Sequence, residues 1–139
     1  MKAKVKWLQN VCFEGSSESG HTVVMDGPEA SGGENRGFRP MEMLLLGAAG
    51  CTSYDVISIL KKSRQQVTDC VAEISATRAD AVPAVFTDIH FHFVVTGNAL
   101  KPAQVERAIR LSAEKYCSGT IMLEKGGVTI THDYEILAA

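Results

Sequence analysis

The segment from Pro40 to Ser63, PMEMLLLGAAGCTSYDVISILKKS, constrains the fold more than any other part of the chain. Proline suits the first turn of a helix, and Lys61 and Lys62 suit the negative end of the helix dipole at the other terminus. The side chains between them are apolar on nearly every face, and such a helix is normally buried all round. A helix of about 23 residues would be about 34 Å long. That is longer than one wall of a small domain, so we expect the helix to pack against a second copy of the chain and form a homodimer.

Size and charge limit the classes of function that this chain can have. Its 139 residues and net charge of −2 fit one soluble domain spanning residues 1–139, with no general attraction for nucleic acid. The N-terminal sequence MKAKVKWLQN has no apolar core behind its lysines and is not a secretory signal. The strongly apolar stretch at 41–51 is shorter than the ~20 residues of a membrane span. We therefore expect a cytoplasmic protein with neither membrane nor nucleic-acid partners, in which the cysteines remain thiols.

The rest of the pattern predicts an α+β fold with antiparallel sheets. Short runs rich in Val, Phe and Trp at 3–8, 11–14 and 20–26 indicate a meander of three strands, and alternating runs at 68–78 and 88–96 indicate a hairpin. Pro102 begins a second helix, and we expect Ser118 to cap a short third helix that ends at Gly126-Gly127. A last strand at 128–136 completes the order βββ-α-ββ-α(α)-β. No βαβ repeat is present, which excludes a doubly wound nucleotide fold.

Two of the four cysteines stand out. Cys51 lies inside the long helix among small residues, and Cys117 comes directly before a predicted helix start, where free N–H groups and the dipole stabilise a thiolate. The simpler interpretation of each is a buried core residue, since free cysteine often only fills space. Asp55, one turn beyond Cys51, would raise the pKa of that thiol, so an activated Cys51 needs a nearby cation. The glycine-rich loop at 27–39 offers Arg36 and Arg39.

Other chemistry has weaker support. His90 and His92 share one face of a predicted strand, a spacing that could hold a metal only with a third ligand. No residue pattern supplies that ligand, so we expect solvent-facing histidines, no metal and no cofactor. A phosphate-binding loop is not indicated either, because Gly32-Gly33 lacks the lysine-serine ending.

The two cysteine-bearing segments together resemble the OsmC/Ohr family of thiol-dependent peroxidases. They are PMEMLLLGAAGCTSYDVISIL, with Cys51, and LSAEKYCSGTIML, with Cys117. The resemblance covers most of the chain and is strongest to the OsmC-like branch. It implies an intertwined homodimer in which the central helices pack together and each active site lies at the dimer interface.

The same resemblance implies the roles of the site residues. Cys51 would attack the distal oxygen of an organic hydroperoxide and become a sulfenic acid, and Cys117 would condense with it to a disulfide that a dithiol reductant reopens. The family's peroxidases place a glutamate directly after the helix-starting proline, where it holds a catalytic arginine. Here Met41 stands at that place and the acid is Glu42, so Arg39 or Arg36 would have to supply the cation.

Two functions follow from these observations. One is a cytoplasmic cysteine peroxidase that acts on organic hydroperoxides in oxidative-stress defence. The alternative is a non-peroxidase member that binds a small apolar or thiol-reactive ligand in the dimer-interface pocket.

Overall fold

The computed structural model describes residues 1–139, and their backbone contacts group into two compact units, 1–46 and 47–139. The elements, in chain order, are β1 (Ala3–Gln9), β2 (Cys12–Ser17), β3 (Thr22–Met25), α1 (Pro40–Lys62), β4 (Gln66–Arg78), β5 (Phe86–Asn98), α2 (Pro102–Leu111), α3 (Ser118–Lys125) and β6 (Thr129–Ala138). The predicted α+β class and order are confirmed. The predicted single domain stays a prediction.

The first unit contains an antiparallel sheet in the order β1-β2-β3. A turn at Asn10, whose φ of 49° is left-handed, joins β1 to β2, and Gly20 with a φ of 86° lies between β2 and β3. Both are residue types that adopt this conformation at low cost. Beyond β3 the chain forms a short 3-10 turn at Glu29–Ser31 before α1 begins at Pro40. The sequence therefore placed the three strands correctly to within a few residues.

The second unit contains a sheet in the order β4-β5-β6. The hairpin of β4 and β5 is antiparallel, with Ile74 opposite Phe91, whereas β6 pairs parallel to β5, with His132 beside Phe91. This last pairing departs from the antiparallel expectation. The cause is the helical connection through α2 and α3, because a parallel neighbour needs a crossover of a dozen or more residues.

The core of the second unit lies on one face of β5 and on the inner side of the helices. Ile89, Phe91, Phe93 and Val95 alternate along β5 and are at most 1% exposed. On α2, Val105 and Ala108 are fully buried. The rings of Phe91 and Phe93 lie 6.4 Å apart. The alternation predicted for this strand is therefore confirmed.

The long helix α1 has the predicted bounds but is not buried all round. In the second unit its buried side chains are Ala48, Ala49, Thr52, Val56 and Leu60, whereas Tyr54 is exposed. Its mean hydropathy of 1.6 over an 18-residue window would let it cross a membrane by length and composition alone. Core helices of soluble proteins share both properties.

Candidate functional site

Cys51 lies midway along α1 and is partly exposed. The first turn of α3 lies directly against it: a Cβ at Gly119 would be 3.6 Å from the Cβ of Cys51 and 3.8 Å from its sulfur. Those are ordinary van der Waals distances, so the absence of a side chain at 119 leaves room for little more than a methyl group. The thiol is thus accessible but closely bounded on the α3 side.

Cys117 is the N-cap of α3. Its backbone is extended, with φ −76° and ψ 102°, and its sulfur accepts the N–H of Thr120 at 3.4 Å. Ser118, the predicted cap, is instead the first residue of the helix. The chain leaves the extended conformation one residue earlier than expected, so the sulfur and not the serine hydroxyl reaches the free N–H group. Cys117 is fully buried.

A π-helical turn over Ser112–Tyr116 sets the position of Cys117. It is closed by the N–H of Cys117, which donates to the carbonyl of Ser112 at 2.9 Å. The sequence predicted only a helix that begins at Pro102, and hydrophobic periodicity gives no sign of the wider turn at its end. Turns of this kind occur frequently at functional sites.

Gly119, two residues after Cys117, lies against Cys51, so the structure brings the two free thiols into neighbouring positions. Burial raises the pKa of Cys117, and the Cys51 thiol raises it further, while the N–H and hydroxyl of Thr120 act in the opposite direction. The Thr120 hydroxyl is close enough to lower this pKa but forms no well-aligned hydrogen bond. The raised pKa keeps Cys117 protonated, as a buried thiol beside the more accessible thiol of Cys51.

A buried polar network connects the Cys51 helix to the π-helical turn. The hydroxyl of Ser112 donates to the Asp55 carboxylate at 3.2 Å and lies 2.9 Å from the hydroxyl of Thr52. Because a hydroxyl has one proton, Thr52 is the donor in that second bond. Sequence reasoning noted Asp55 only as a neighbour of Cys51 and missed Ser112, which bonds both Asp55 and Thr52, since nothing in the sequence links positions 57 and 60 residues apart.

A cavity of about 620 Å³ lies beside this network. Its walls come from the C-terminal half of α1 and from α2 with the π-helical turn. The lining residues are Tyr54, Asp55, Ser58, Ile59, Lys62, Ser63, Arg107, Leu111 and Tyr116. The volume falls within the range of small-molecule sites.

The candidate cations Arg36 and Arg39, and the acid Glu42, belong to the first unit. Nε of Arg39 lies 3.9 Å from a carboxylate oxygen of Glu42, and Arg36 pairs with Glu34 at 2.6 Å. Arg36, Arg39 and Glu42 line a shared cavity of about 310 Å³. Their role as partners of Cys51 stays a prediction.

The loop that carries these arginines is held by Asp26, which the sequence did not single out. Its buried carboxylate accepts the backbone N–H groups of Gly27, Glu34 and Arg36 at 2.7 to 3.2 Å. Burial opposes ionisation, but these donors and the Arg36 guanidinium keep the pKa of Asp26 below its ordinary value. The glycine-rich loop thus has a fixed anchor at Asp26.

The two strand histidines share one carboxylate on the more open face of the second sheet. Asp133 accepts from His90 at 3.0 Å and from His92 at 2.6 Å, and Glu135 lies 3.6 Å from His92. The hydrogen bond to Asp133 raises the pKa of His92. The same bond lowers the pKa of Asp133. This arrangement fastens β6 to β5.

Comparison with known proteins places the chain in a family. A family model described as OsmC-like protein matches residues 32–133. The chain belongs to the OsmC-like protein family. The OsmC-like chain is 50% identical over 139 residues to the protein YhfA of Escherichia coli K12, and the match covers 100% of both chains.

Solved structures share the fold of the OsmC-like chain. A hypothetical protein from Aquifex aeolicus superposes with a TM-score of 0.86 at 27% identity, covering 99% of this chain and 96% of that one. An organic hydroperoxide resistance protein OsmC from Legionella pneumophila superposes with a TM-score of 0.73 at 17% identity, covering 96% and 95%. The family resemblance and fold inferred from the two cysteine segments are confirmed, and membership supports a peroxide-related redox role in general.

Proposed function

We propose that this OsmC-like chain reduces organic hydroperoxides with Cys51 as nucleophile and Cys117 as resolving thiol. The observation that carries the proposal is the pair of free thiols side by side at the first turn of α3. A peroxidase of this kind needs one reachable sulfur and a second within disulfide reach. Cys51 is the reachable one because Cys117 is fully buried.

The reaction has two balanced steps. The Cys51 thiolate attacks the distal oxygen of ROOH, the O–O bond breaks, and the alkoxide leaves and takes a proton to become ROH. Cys51 is then a sulfenic acid. The Cys117 sulfur displaces the sulfenic oxygen, which leaves as water with the thiol proton, and a disulfide forms. A dithiol reductant returns both thiols by exchange.

The electrostatics favour this order of events. Burial raises the pKa of Cys117, so it stays protonated and does not compete for peroxide. The first turn of α3 lies against Cys51, and the positive end of its dipole favours negative charge on that sulfur. Arg39 or Arg36 would supply the cation for Cys51, and Glu42 would be the acid partner of that arginine.

The active form would be a homodimer, as is typical of OsmC-like and Ohr proteins. The exposed apolar side chains of α1, Leu44 and Leu46 in the first unit and Tyr54 in the second, support this assembly. We place the protein in the cytoplasm, where thiols stay reduced and a dithiol reductant is available.

The test is a titration of thiols with tert-butyl hydroperoxide. One equivalent should consume two thiols in the reduced wild type. Cys51→Ser should abolish this consumption, and Cys117→Ser should leave a sulfenic acid that dimedone traps. Matched controls are Cys12→Ser and Cys70→Ser. Cys12 is buried, and burial and Asp69 raise the pKa of Cys70, so both variants should behave like the wild type.

The alternative is a member that binds an apolar or thiol-reactive ligand without turnover. The observation that favours it is the 620 Å³ cavity lined by Asp55, beside the Asp55–Ser112 hydrogen bond. Persistence of both thiols for minutes in excess peroxide, together with a co-purifying ligand in native mass spectrometry, would overturn the peroxidase proposal in its favour.

A further inference from the structure

Thr120 is the third residue of α3, and its side chain is buried at 1% exposed. Its hydroxyl oxygen has no hydrogen-bond partner in the chain. A buried hydroxyl without a partner is costly and rare in folded proteins, so each case needs an explanation. Valine has the same branched shape without the hydroxyl, so packing alone gives no reason for threonine at this position.

The sulfur of Cys117 lies next to this hydroxyl. The backbone N–H of Thr120 donates to that sulfur at 3.4 Å, which fixes residue 120 beside residue 117. The hydroxyl acts on the same sulfur, because it lowers the pKa of Cys117 against the larger effect of burial. The backbone and the side chain of Thr120 therefore both place a polar hydrogen near one buried sulfur.

The charge on the Cys117 sulfur decides whether the hydroxyl is paired. A thiol sulfur is a weak acceptor, whereas a charged acceptor forms hydrogen bonds that are roughly twice as strong as neutral ones. The hydroxyl proton of Thr120 rotates to suit its surroundings, so it can turn towards a sulfur that gains negative charge. An interaction that is stronger in the transition state than in the resting state accelerates the step in which it forms.

We infer that the Thr120 hydroxyl donates a hydrogen bond to the Cys117 sulfur while that sulfur attacks Cys51. The inference rests on the proposed function for the resolving role of Cys117. In that step the S–S bond forms, the S–O bond of the sulfenic acid breaks, and the thiol proton leaves with the oxygen as water. Thr120 keeps its own proton throughout. It is a catalytic residue of the resolving step and takes no part in O–O cleavage.

The test measures the attack of Cys117 on Cys51 without any peroxide. The parent chain carries Cys12→Ser and Cys70→Ser, and dithiobis(nitrobenzoate) forms a mixed disulfide with the accessible Cys51 in it. The Cys117 sulfur then attacks the Cys51 sulfur, the mixed disulfide breaks, and nitrothiobenzoate leaves as a coloured thiolate. The absorbance of this second nitrothiobenzoate gives the rate of the attack.

Thr120→Val removes the hydroxyl but keeps the branched shape and the backbone N–H. At neutral pH its release should be about three- to tenfold slower than in the parent chain, because less thiolate is present and its higher nucleophilicity offsets only part of the loss. Thr120→Ser keeps the hydroxyl and should release at the parent rate. Ser118→Ala, the matched control, removes an exposed hydroxyl from the same turn of α3 and should also keep the parent rate.

The order of the two Thr120 variants separates chemistry from packing. If only the methyl group mattered, Thr120→Ser would be the slow variant and Thr120→Val would match the parent chain, which would overturn the inference. Equal rates in all four chains would also overturn it. Thr120→Val should raise the melting temperature, since it removes a buried hydroxyl that is unpaired in the resting thiol. A lower melting temperature would mean that the hydroxyl is already paired, and it would count against the inference.

The peroxidase function and this inference fail in different ways. If tert-butyl hydroperoxide leaves the thiols intact, the peroxidase function fails, and the release of nitrothiobenzoate still measures what Thr120 contributes to the attack of Cys117. If peroxide is consumed but the Thr120 variants release at the parent rate, the inference alone is refuted. No second release from the parent chain would mean that the two sulfurs do not meet, which refutes the inference and the resolving role of Cys117 together.

Discussion

At the scale of single residues, Ser112 has the most connections around the thiol pair. Its hydroxyl joins Thr52 and Asp55 of the Cys51 helix, and its carbonyl accepts the N–H of Cys117. It is fully buried. One side chain thus ties the segment that carries the proposed nucleophile to the segment that carries the proposed resolving thiol.

Replacing Ser112 with alanine should lower the free energy of unfolding by about 1–3 kcal/mol, because the Thr52 hydroxyl loses its acceptor and Asp55 loses a donor. Urea unfolding followed by circular dichroism measures the change. Ser118→Ala is the matched control, since Ser118 is exposed at the start of α3 and should shift the stability by less than about 0.5 kcal/mol. Equal effects of the two substitutions would contradict the structural role of the network.

At the scale of elements, the parallel pairing of β6 with β5 depends in part on side chains of the more open face. His90 and His92 of β5 both contact Asp133 of β6. Glu135 faces the same cluster from β6, and Glu73 is opposite His92 on β4. An exposed edge strand is thereby fastened by groups whose charge changes with pH.

The contribution of this cluster to stability should be largest in mildly acidic solution. Because Asp133 raises the pKa of His92, the stabilisation is fully present below the ordinary histidine pKa of about 6.5 and is lost as pH rises through the higher folded value. Because the histidines lower the pKa of Asp133, the stabilisation is present above about pH 4 and is lost as pH falls through the lower folded value.

Asp133→Asn should therefore destabilise the protein most near pH 5 and progressively less towards pH 8. Thermal unfolding at several pH values measures the difference from wild type. Asp80→Asn, an exposed change in the hairpin between β4 and β5, provides the control and should show no such pH dependence. If the melting temperatures of Asp133→Asn and the wild type differ by the same amount at pH 5 and pH 8, the ion pairs between Asp133 and the two histidines make no contribution to stability.

At the scale of the whole molecule, α1 leaves several large apolar side chains exposed. Leu44 and Leu46 are about half exposed in the first unit, and Tyr54 is exposed in the second. Surfaces of this kind on soluble proteins mark places where another chain docks. A second copy of the chain is the occupant that the family suggests.

Sedimentation equilibrium should give twice the chain mass for the wild type. Leu44→Glu would place an unpaired charge in the interface and should raise the dissociation constant more than about a hundredfold. Val82→Glu makes a similar apolar-to-acid change at the exposed hairpin and should leave the dimer unchanged. A monomeric wild type, or equal effects of the two variants, would refute the dimer.

Local patterns in the sequence were enough to determine the elements and the class of fold. Pro40 and the lysines at 61 and 62 predicted the two ends of α1 correctly, and the alternation along β5 identified its buried face. Both signals depend only on a residue and its near neighbours in the sequence. The two cysteine segments were enough to identify the family. Their roles in catalysis stay predictions.

Contacts between distant segments were decided only by the tertiary structure. The π-helical turn made Cys117 the cap in place of Ser118, the crossover made β6 parallel to β5, and Ser112 met Asp55 across 57 residues. Each depends on how helices and strands pack, which hydrophobic periodicity does not encode. The juxtaposition of two thiols 66 positions apart in the sequence has the same origin, because packing brings α3 against α1.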